Sequence, residues 1–68
     1  MPRFFTEDIT DSTAVITGED FAHISRVLRM RPGEALTVCD LKGTDHSCSI
    51  LRFEENRVVL AVHESRPS

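Results

Sequence analysis

The protein has 68 residues and a mass of 7.7 kDa, a length that fits one small domain or part of a larger protein and excludes most self-sufficient enzymes. Hydrophobic residues make up 40% of the chain and charged residues 28%, a balance that excludes intrinsic disorder and fibrous repeats. The formal net charge is -3, so the chain as a whole does not attract nucleic acid, and any RNA site must be a local basic patch.

The first part of the sequence predicts two short strands followed by a helix. Residues 3–6 are rich in strand-forming side chains, and residues 13–17 resume a β pattern after an acidic loop. A helix is predicted to begin near Gly18, with Thr17 as its N-cap and Asp20 completing a capping box.

The predicted helix is amphipathic. Four apolar residues fall within one arc of about 120° and are expected to face the core. They are Phe21, Ile24, Val27 and Leu28. The opposite side carries Ala22, Ser25, Arg26 and Arg29, with His23 at the edge of the apolar stripe. Pro32 and Gly33 are predicted to end the helix and to form the middle of a type II turn.

The rest of the chain predicts three strands at residues 35–40, 46–53 and 57–64, separated by turns. Five short strands, with one helix after the second, indicate a mainly β fold: a small curled sheet or barrel whose end or side the helix covers. Its predicted core consists of Phe4 or Phe5, Phe21, Phe53, Ile16, Leu28, Leu36, Val38, Ile50, Leu60 and Val62.

The basic residues are unevenly distributed. Seven of the eight are arginines, and Arg26, Arg29 and Arg31 lie within one stretch of six residues. Arginine makes planar, bidentate contacts to phosphate and stacks on bases, so this stretch is a candidate RNA-binding patch. Two interpretations remain open from spacing alone, because the same three arginines also suit the solvated outer face of a helix.

Motifs for nucleotide or cofactor binding are missing, so no catalytic or cofactor-binding residue is assigned in this chain. Cys39 and Cys48 are expected to be free thiols packed on neighbouring strands. A metal or redox site formed by Cys39, His46 and Cys48 is a minor alternative, since a closed zinc site needs four ligands. No apolar run approaches the roughly 18 residues that cross a bilayer, so the protein is expected to be cytoplasmic with no membrane partner.

An ordered series of short motifs runs along the chain. It consists of Pro2-Arg3-Phe4-Phe5, Gly18-Glu19-Asp20, His23-Ile24-Ser25-Arg26-Val27-Leu28-Arg29-Met30 and Pro32-Gly33-Glu34. The series resembles the start of the bacterial 16S ribosomal RNA uracil-N3 methyltransferases, over almost all of the chain to about Glu64. Residues 23–30 are its most specific part.

The resemblance implies a two-domain parent enzyme. Residues 1–64 correspond to an N-terminal PUA-like RNA-binding barrel, and residues 65–68 begin a linker to a knotted SPOUT-type domain. That second domain is implied to bind S-adenosylmethionine, to methylate N3 of a uridine in 16S ribosomal RNA on the assembled small subunit, and to form a homodimer. This chain alone is therefore not expected to be an enzyme, although its parent is.

The resemblance also implies which side chains face RNA. They are Arg3, His23, Arg26 and Arg29, with Arg31 a weaker match. The chain departs from the family pattern at the turn formed by residues 41–44, which replaces the Asp-Gly start expected after the third strand. A second hypothesis is a protein-interaction module that docks on its own second domain or on a ribosomal protein. Ion pairs of Arg26 and Arg29 with Glu19 or Asp20 would favour this alternative, because they would leave no free donors for phosphate.

Overall fold

The computed structural model describes residues 3–10 and 12–67, which contain five strands and one helix. The strands are β1 (Arg3–Phe5), β2 (Thr13–Thr17), β3 (Ala35–Cys39), β4 (Thr44–Phe53) and β5 (Arg57–Pro67). The helix follows β2 and has two parts, α1 (Gly18–Ala22) and a π-helical turn (His23–Val27). Pro2 of the first motif and Ser68 of the predicted linker lie outside the described residues.

The five strands form one sheet in the order β1-β3-β4-β5-β2, curled into a half-barrel. β1 and β3 are parallel, and the other pairs are antiparallel. The segment after β1 lies against β2, because the Thr6 hydroxyl donates to the Val15 carbonyl at 2.9 Å and the Val15 N–H donates to the Asp8 carbonyl at 2.9 Å. The predicted fold class, mainly β with one helix after the second strand, is confirmed.

The longest strand pairing of the sheet, that of β4 with β5, is irregular. This pairing contains two register irregularities, at Ser47/Cys48 and at Ile50/Arg52. Bulges of this kind bend a strand and increase its twist. The inner face of the curled sheet and the buried Ile24 of the helix together enclose the core. The core residues are Phe4, Ala14, Ile16, Ile24, Leu36, Val38, Cys48, Ile50, Val58 and Leu60.

The predicted end of strand β5 needs correction. Val59 was predicted to point away from Val58 and Leu60, and it is absent from the core cluster that contains those two residues, although it is buried. The strand continues past Glu64 to Pro67, where it pairs with Thr44. The boundary between the domain and a linker remains a prediction.

The helix begins where predicted, but the predicted capping box is absent. Thr17 makes no side-chain capping hydrogen bond. It remains the last residue of β2, paired with Arg57, and the chain enters the helix through Gly18 at a φ of 66°. No helix in the described part of the chain is long and apolar enough to span a bilayer.

The turn after the helix agrees with the prediction. The Glu34 N–H donates to the Arg31 carbonyl at 3.1 Å, and Gly33 between them has a φ of 92°. A type II turn requires a positive φ at this position, which glycine adopts without strain. The turn leads directly into β3.

Candidate functional site

The helix changes its winding at His23. The Leu28 N–H donates to the carbonyl of His23, five residues earlier, at 2.9 Å. This wider turn breaks the regular helical period from which an apolar stripe was predicted. Ile24 is fully buried, but Val27 is 66% exposed and Leu28 40% exposed. The prediction that Val27 and Leu28 face the core is therefore wrong.

The chain reverses direction at Arg29. Arg29 is the only described residue other than glycine with a positive φ, 52°. This conformation lets the Met30 N–H donate to the Ile24 carbonyl at 3.1 Å, while the Met30 side chain packs against the core. Met30 thus takes the inward position that the regular helix would have given to Leu28, which explains the exposure of Leu28.

Arg26, Arg29 and Arg31 are all exposed, and none of them has an ion pair within the part of the chain that the structure describes. The other four arginines each have a carboxylate partner. These pairs are Arg3 with Asp45, Arg52 and Arg57 with Glu54, and Arg66 with Glu64. Residues 21–33 contain no acidic residue, and the nearest carboxylate on the C-terminal side, that of Glu34, accepts a hydrogen bond from the Arg31 backbone N–H and not from a guanidinium group. The three guanidinium groups therefore carry positive charge that no ion pair in the described chain offsets.

The two exposed apolar residues lie among these arginines. We call residues 26–29 together with Arg31 the arginine patch. It contains three permanently charged guanidinium groups and, between them in the sequence, the exposed aliphatic side chains of Val27 and Leu28. Such a surface can bind phosphate oxygens through the guanidinium donors and contact an apolar group in the same complex. Ion pairs of Arg26 or Arg29 with Glu19 or Asp20 do not occur among the described residues.

His23 connects the start of the π-helical turn to the sheet. Its ring meets the ring of Phe4 edge-on, with centroids 6.2 Å apart and an interplanar angle of 61°. Phe4 is buried and His23 is exposed, so the histidine covers an edge of the core. His23 lies three residues before Arg26 in the same π-helical turn.

Arg3 does not join this group through any side-chain contact that the structure shows. Arg3 and Phe5 are exposed and Phe4 is buried, so Arg3 projects from the face of β1 opposite to the face that meets His23. Its guanidinium donates to Asp45 Oδ2 at 3.2 Å. The role of Arg3 in RNA binding remains a prediction.

A second polar cluster was not foreseen from the sequence. His46 is 8% exposed, and its Nδ1 lies 2.7 Å from Ser65 Oγ while its Nε2 lies 3.0 Å from Asp40 Oδ2. The hydrogen bond with His46, together with those from the Thr44 and Lys42 backbone N–H groups, lowers the pKa of Asp40. The only sequence signal was an aspartate placed just before a glycine-containing turn, where its side chain accepts backbone N–H groups.

This cluster fastens the end of β5 to the turn between β3 and β4. It borders a cavity of about 460 Å³, which is also lined by Glu7 and Lys42. Because both ring nitrogens of His46 are engaged by Asp40 and Ser65, the histidine does not meet Cys39 and Cys48 in a metal site as the minor alternative required. No group of three potential metal ligands occurs in the described residues.

Both cysteines are buried free thiols on adjacent strands. The Cys39 thiol donates to Asp45 Oδ1 at 2.9 Å, and this hydrogen bond raises the pKa of Cys39. Burial raises the pKa of Cys48 to about 11. Both effects suppress the thiolate, which is the nucleophilic form, so neither cysteine is poised for catalysis.

Solved structures of RNA methyltransferases contain the same fold. The chain is 26% identical to a probable rRNA methyltransferase from Porphyromonas gingivalis, with a TM-score of 0.87, covering 100% of this chain and 28% of that one. It is 28% identical to ribosomal RNA small subunit methyltransferase E from Neisseria gonorrhoeae, which was solved with S-adenosyl methionine. That match has a TM-score of 0.79 and covers 97% of this chain and 28% of the other. A predicted RNA methyltransferase from Thermotoga maritima shares the fold, with 17% identity and a TM-score of 0.80, and the match covers 97% of this chain and 30% of that one.

The chain thus spans less than a third of the length of these proteins. No curated protein matches it. The family model described as the RNA methyltransferase PUA domain matches residues 16–62, which include the helix, the arginine patch and four of the five strands in whole or in part. The protein therefore belongs to the family of RNA methyltransferase PUA domains.

Proposed function

We propose that this chain is the RNA-docking module of an S-adenosylmethionine-dependent enzyme that methylates N3 of a uridine in 16S ribosomal RNA on the assembled small subunit. Membership of the RNA methyltransferase PUA family supports a role in RNA binding. The similarity to a small subunit rRNA methyltransferase solved with S-adenosyl methionine supports the substrate and the methyl donor.

The observation that carries this proposal is that the guanidinium groups of Arg26, Arg29 and Arg31 form no ion pair within the described chain, although that of every other arginine forms one. An arginine already paired with a carboxylate must give up that contact before it can bind a phosphate, whereas these three need not. The module therefore presents a local cationic surface on an acidic body, and docking is driven by phosphate contacts at this surface.

His23 adds a ring and a donor next to Arg26, and Arg3 extends the contact only if it exchanges Asp45 for a phosphate. Because only about three phosphates are neutralised, binding by the module alone is weak and sensitive to salt.

Cofactor binding, methyl transfer and homodimerisation belong in this proposal to a further SPOUT-type domain of a cytoplasmic parent enzyme. None of residues 3–67 is assigned a step in that chemistry. The alternative, in which the arginine patch docks on that second domain or on a ribosomal protein, requires carboxylates from the partner in place of RNA phosphates.

The proposal is tested by measuring how the affinity of the chain for a 16S rRNA fragment depends on salt. With about three phosphates neutralised, the slope of log affinity against log salt is expected to be about -2 to -3. The double variant Arg26→Ala/Arg29→Ala should reduce the slope to about -1, because one arginine of the patch remains. Fluorescence anisotropy with labelled RNA measures both values.

The matched control is Arg52→Ala/Arg57→Ala, which also removes two exposed arginines but takes them from their ion pairs with Glu54. This control should leave the slope unchanged. An equal loss of slope in both double variants would show that the RNA responds to net charge alone, and an unchanged slope in Arg26→Ala/Arg29→Ala would refute the proposed site.

A further inference from the structure

Three locally unfavourable features coincide at residues 27–29. Val27 and Leu28 are exposed large aliphatic residues, and Arg29 is held in the left-handed backbone region. We infer that Val27 and Leu28 contact the bases of unpaired nucleotides, so that the arginine patch prefers single-stranded RNA to duplex RNA. This inference rests on the proposed function, and it names the form of RNA that the module selects.

The exposure of Val27 and Leu28 differs from that of other surface hydrophobics. Phe5, Leu41 and Leu51 are also exposed, but they occur singly along the sequence. Scattered apolar residues of that kind are normal on a protein surface. Val27 and Leu28 are adjacent, and an arginine without an ion pair in the described chain lies on each side of them.

The backbone sets this arrangement. The π-helical turn moves Val27 off the core-facing side, and the left-handed Arg29 directs Met30 into the core in place of Leu28. A left-handed conformation is unfavourable for a residue with a Cβ, and strain of this kind concentrates at functional sites. The strained position carries an exposed cation, although glycine is the usual residue after a helix end.

The combination of charge and apolar surface distinguishes between two forms of RNA. An A-form duplex presents phosphates and ribose hydroxyls, and its base faces are stacked inside, so aliphatic side chains gain little by touching it. Unpaired nucleotides expose their base faces, on which apolar side chains can pack while neighbouring arginines hold the flanking phosphates or stack on a base. The three arginines supply the complementary charge in both cases, but only unpaired RNA also covers Val27 and Leu28.

The test compares a labelled single-stranded RNA of about 12 nucleotides with the same strand annealed to its complement. The single strand is expected to bind the chain more tightly than the duplex at equal salt. In Val27→Ser/Leu28→Ser, affinity for the single strand should fall on the order of tenfold, since apolar contact area is lost. Affinity for the duplex and the salt slope should not change, because no phosphate contact is removed.

The control variant is Leu41→Ser/Leu51→Ser, which removes two exposed leucines that lie outside the arginine patch and should leave both affinities unchanged. Circular dichroism checks that each variant is folded, as expected for exposed positions. Tighter binding of the duplex, or an unchanged single-strand affinity in Val27→Ser/Leu28→Ser, would overturn the inference. The proposed function would still stand in that case if Arg26→Ala/Arg29→Ala reduces the salt slope, so failures of the two proposals are distinguishable.

Discussion

Arg29 follows the helix with a φ of 52°, and replacing it by glycine should make the protein more stable. The left-handed conformation costs arginine about 1 kcal/mol or more and costs glycine almost nothing, although glycine also gives the unfolded chain more freedom. Arg29 is exposed and has no ion pair in the described chain, so few native contacts are lost. The free energy of unfolding of Arg29→Gly should rise by about 0.5 to 1 kcal/mol, or about 4 °C in Tm.

Arg29→Ala is the matched variant, because it removes the same guanidinium but keeps a Cβ and therefore keeps the strain. Its stability should stay within about 0.5 kcal/mol of the original protein. Both variants should weaken RNA binding to the same extent, since the lost phosphate contact is identical. Urea unfolding followed by circular dichroism, together with anisotropy, measures the two effects. If Arg29→Gly is no more stable than Arg29→Ala, the left-handed backbone at this position does not strain the protein.

Three other expected outcomes concern stability. Leu60 is fully buried, so Leu60→Ala should lower the free energy of unfolding measured by urea titration by about 2 to 5 kcal/mol, enough to unfold much of a domain this small. Leu51 is half-exposed, so Leu51→Ala should change the same free energy by less than about 0.5 kcal/mol. The pKa of Asp40 is lowered in the folded state, so its contribution to stability is present above its ordinary pKa of 3.8 and is lost as pH falls through the lower pKa of the folded protein. On acidification, the urea midpoint of Asp40→Asn should therefore fall less than that of the original protein. The pKa of Cys48 is raised from 9.0 to about 11 in the folded protein, so its contribution to the free energy of unfolding is fully present below pH 9.0 and is lost as pH rises toward 11. The melting temperature of Cys48→Ala should therefore lack this decrease at alkaline pH.

The strands and the turn after the helix were predictable because their signals are local. Alternation of apolar residues placed Leu36, Val38 and Leu60 in the core, and Pro32 with Gly33 specified the turn. Between Phe4 and Phe5 the sequence left the choice open, and the register of β1 against β3 settles it, burying Phe4 and exposing Phe5. These features depend on a few neighbouring residues and a fixed period.

The shape of the arginine patch was not predictable, because the π-helical turn has no recognised sequence signal. A regular helix through residues 18–30 would have buried Val27 and Leu28, and the arginines would then have formed an ordinary solvated face. The sequence identified Arg26, Arg29 and Arg31 as candidates, but only the fold shows that their guanidinium groups form no ion pair in the described chain.

Contacts between distant residues were also out of reach. Asp45 engages Arg3 from 42 positions away, and Ser65 reaches His46 across 19 positions, in a segment whose composition indicated a linker. Such pairings depend on strand register, and the register of β4 with β5 is shifted by two irregularities that no local pattern shows.

Docking of the arginine patch on ribosomal RNA can be tested by an NMR titration of the isotope-labelled chain. The chain is titrated with a single-stranded RNA and, separately, with a helical fragment of small-subunit rRNA, at low and at moderate salt. Docking by the arginine patch predicts shifts concentrated at residues 23–31, weakened by salt, with little change at Arg52 and Arg57. The absence of shifts with both RNAs at low salt, or shifts centred on another face of the sheet, would contradict it.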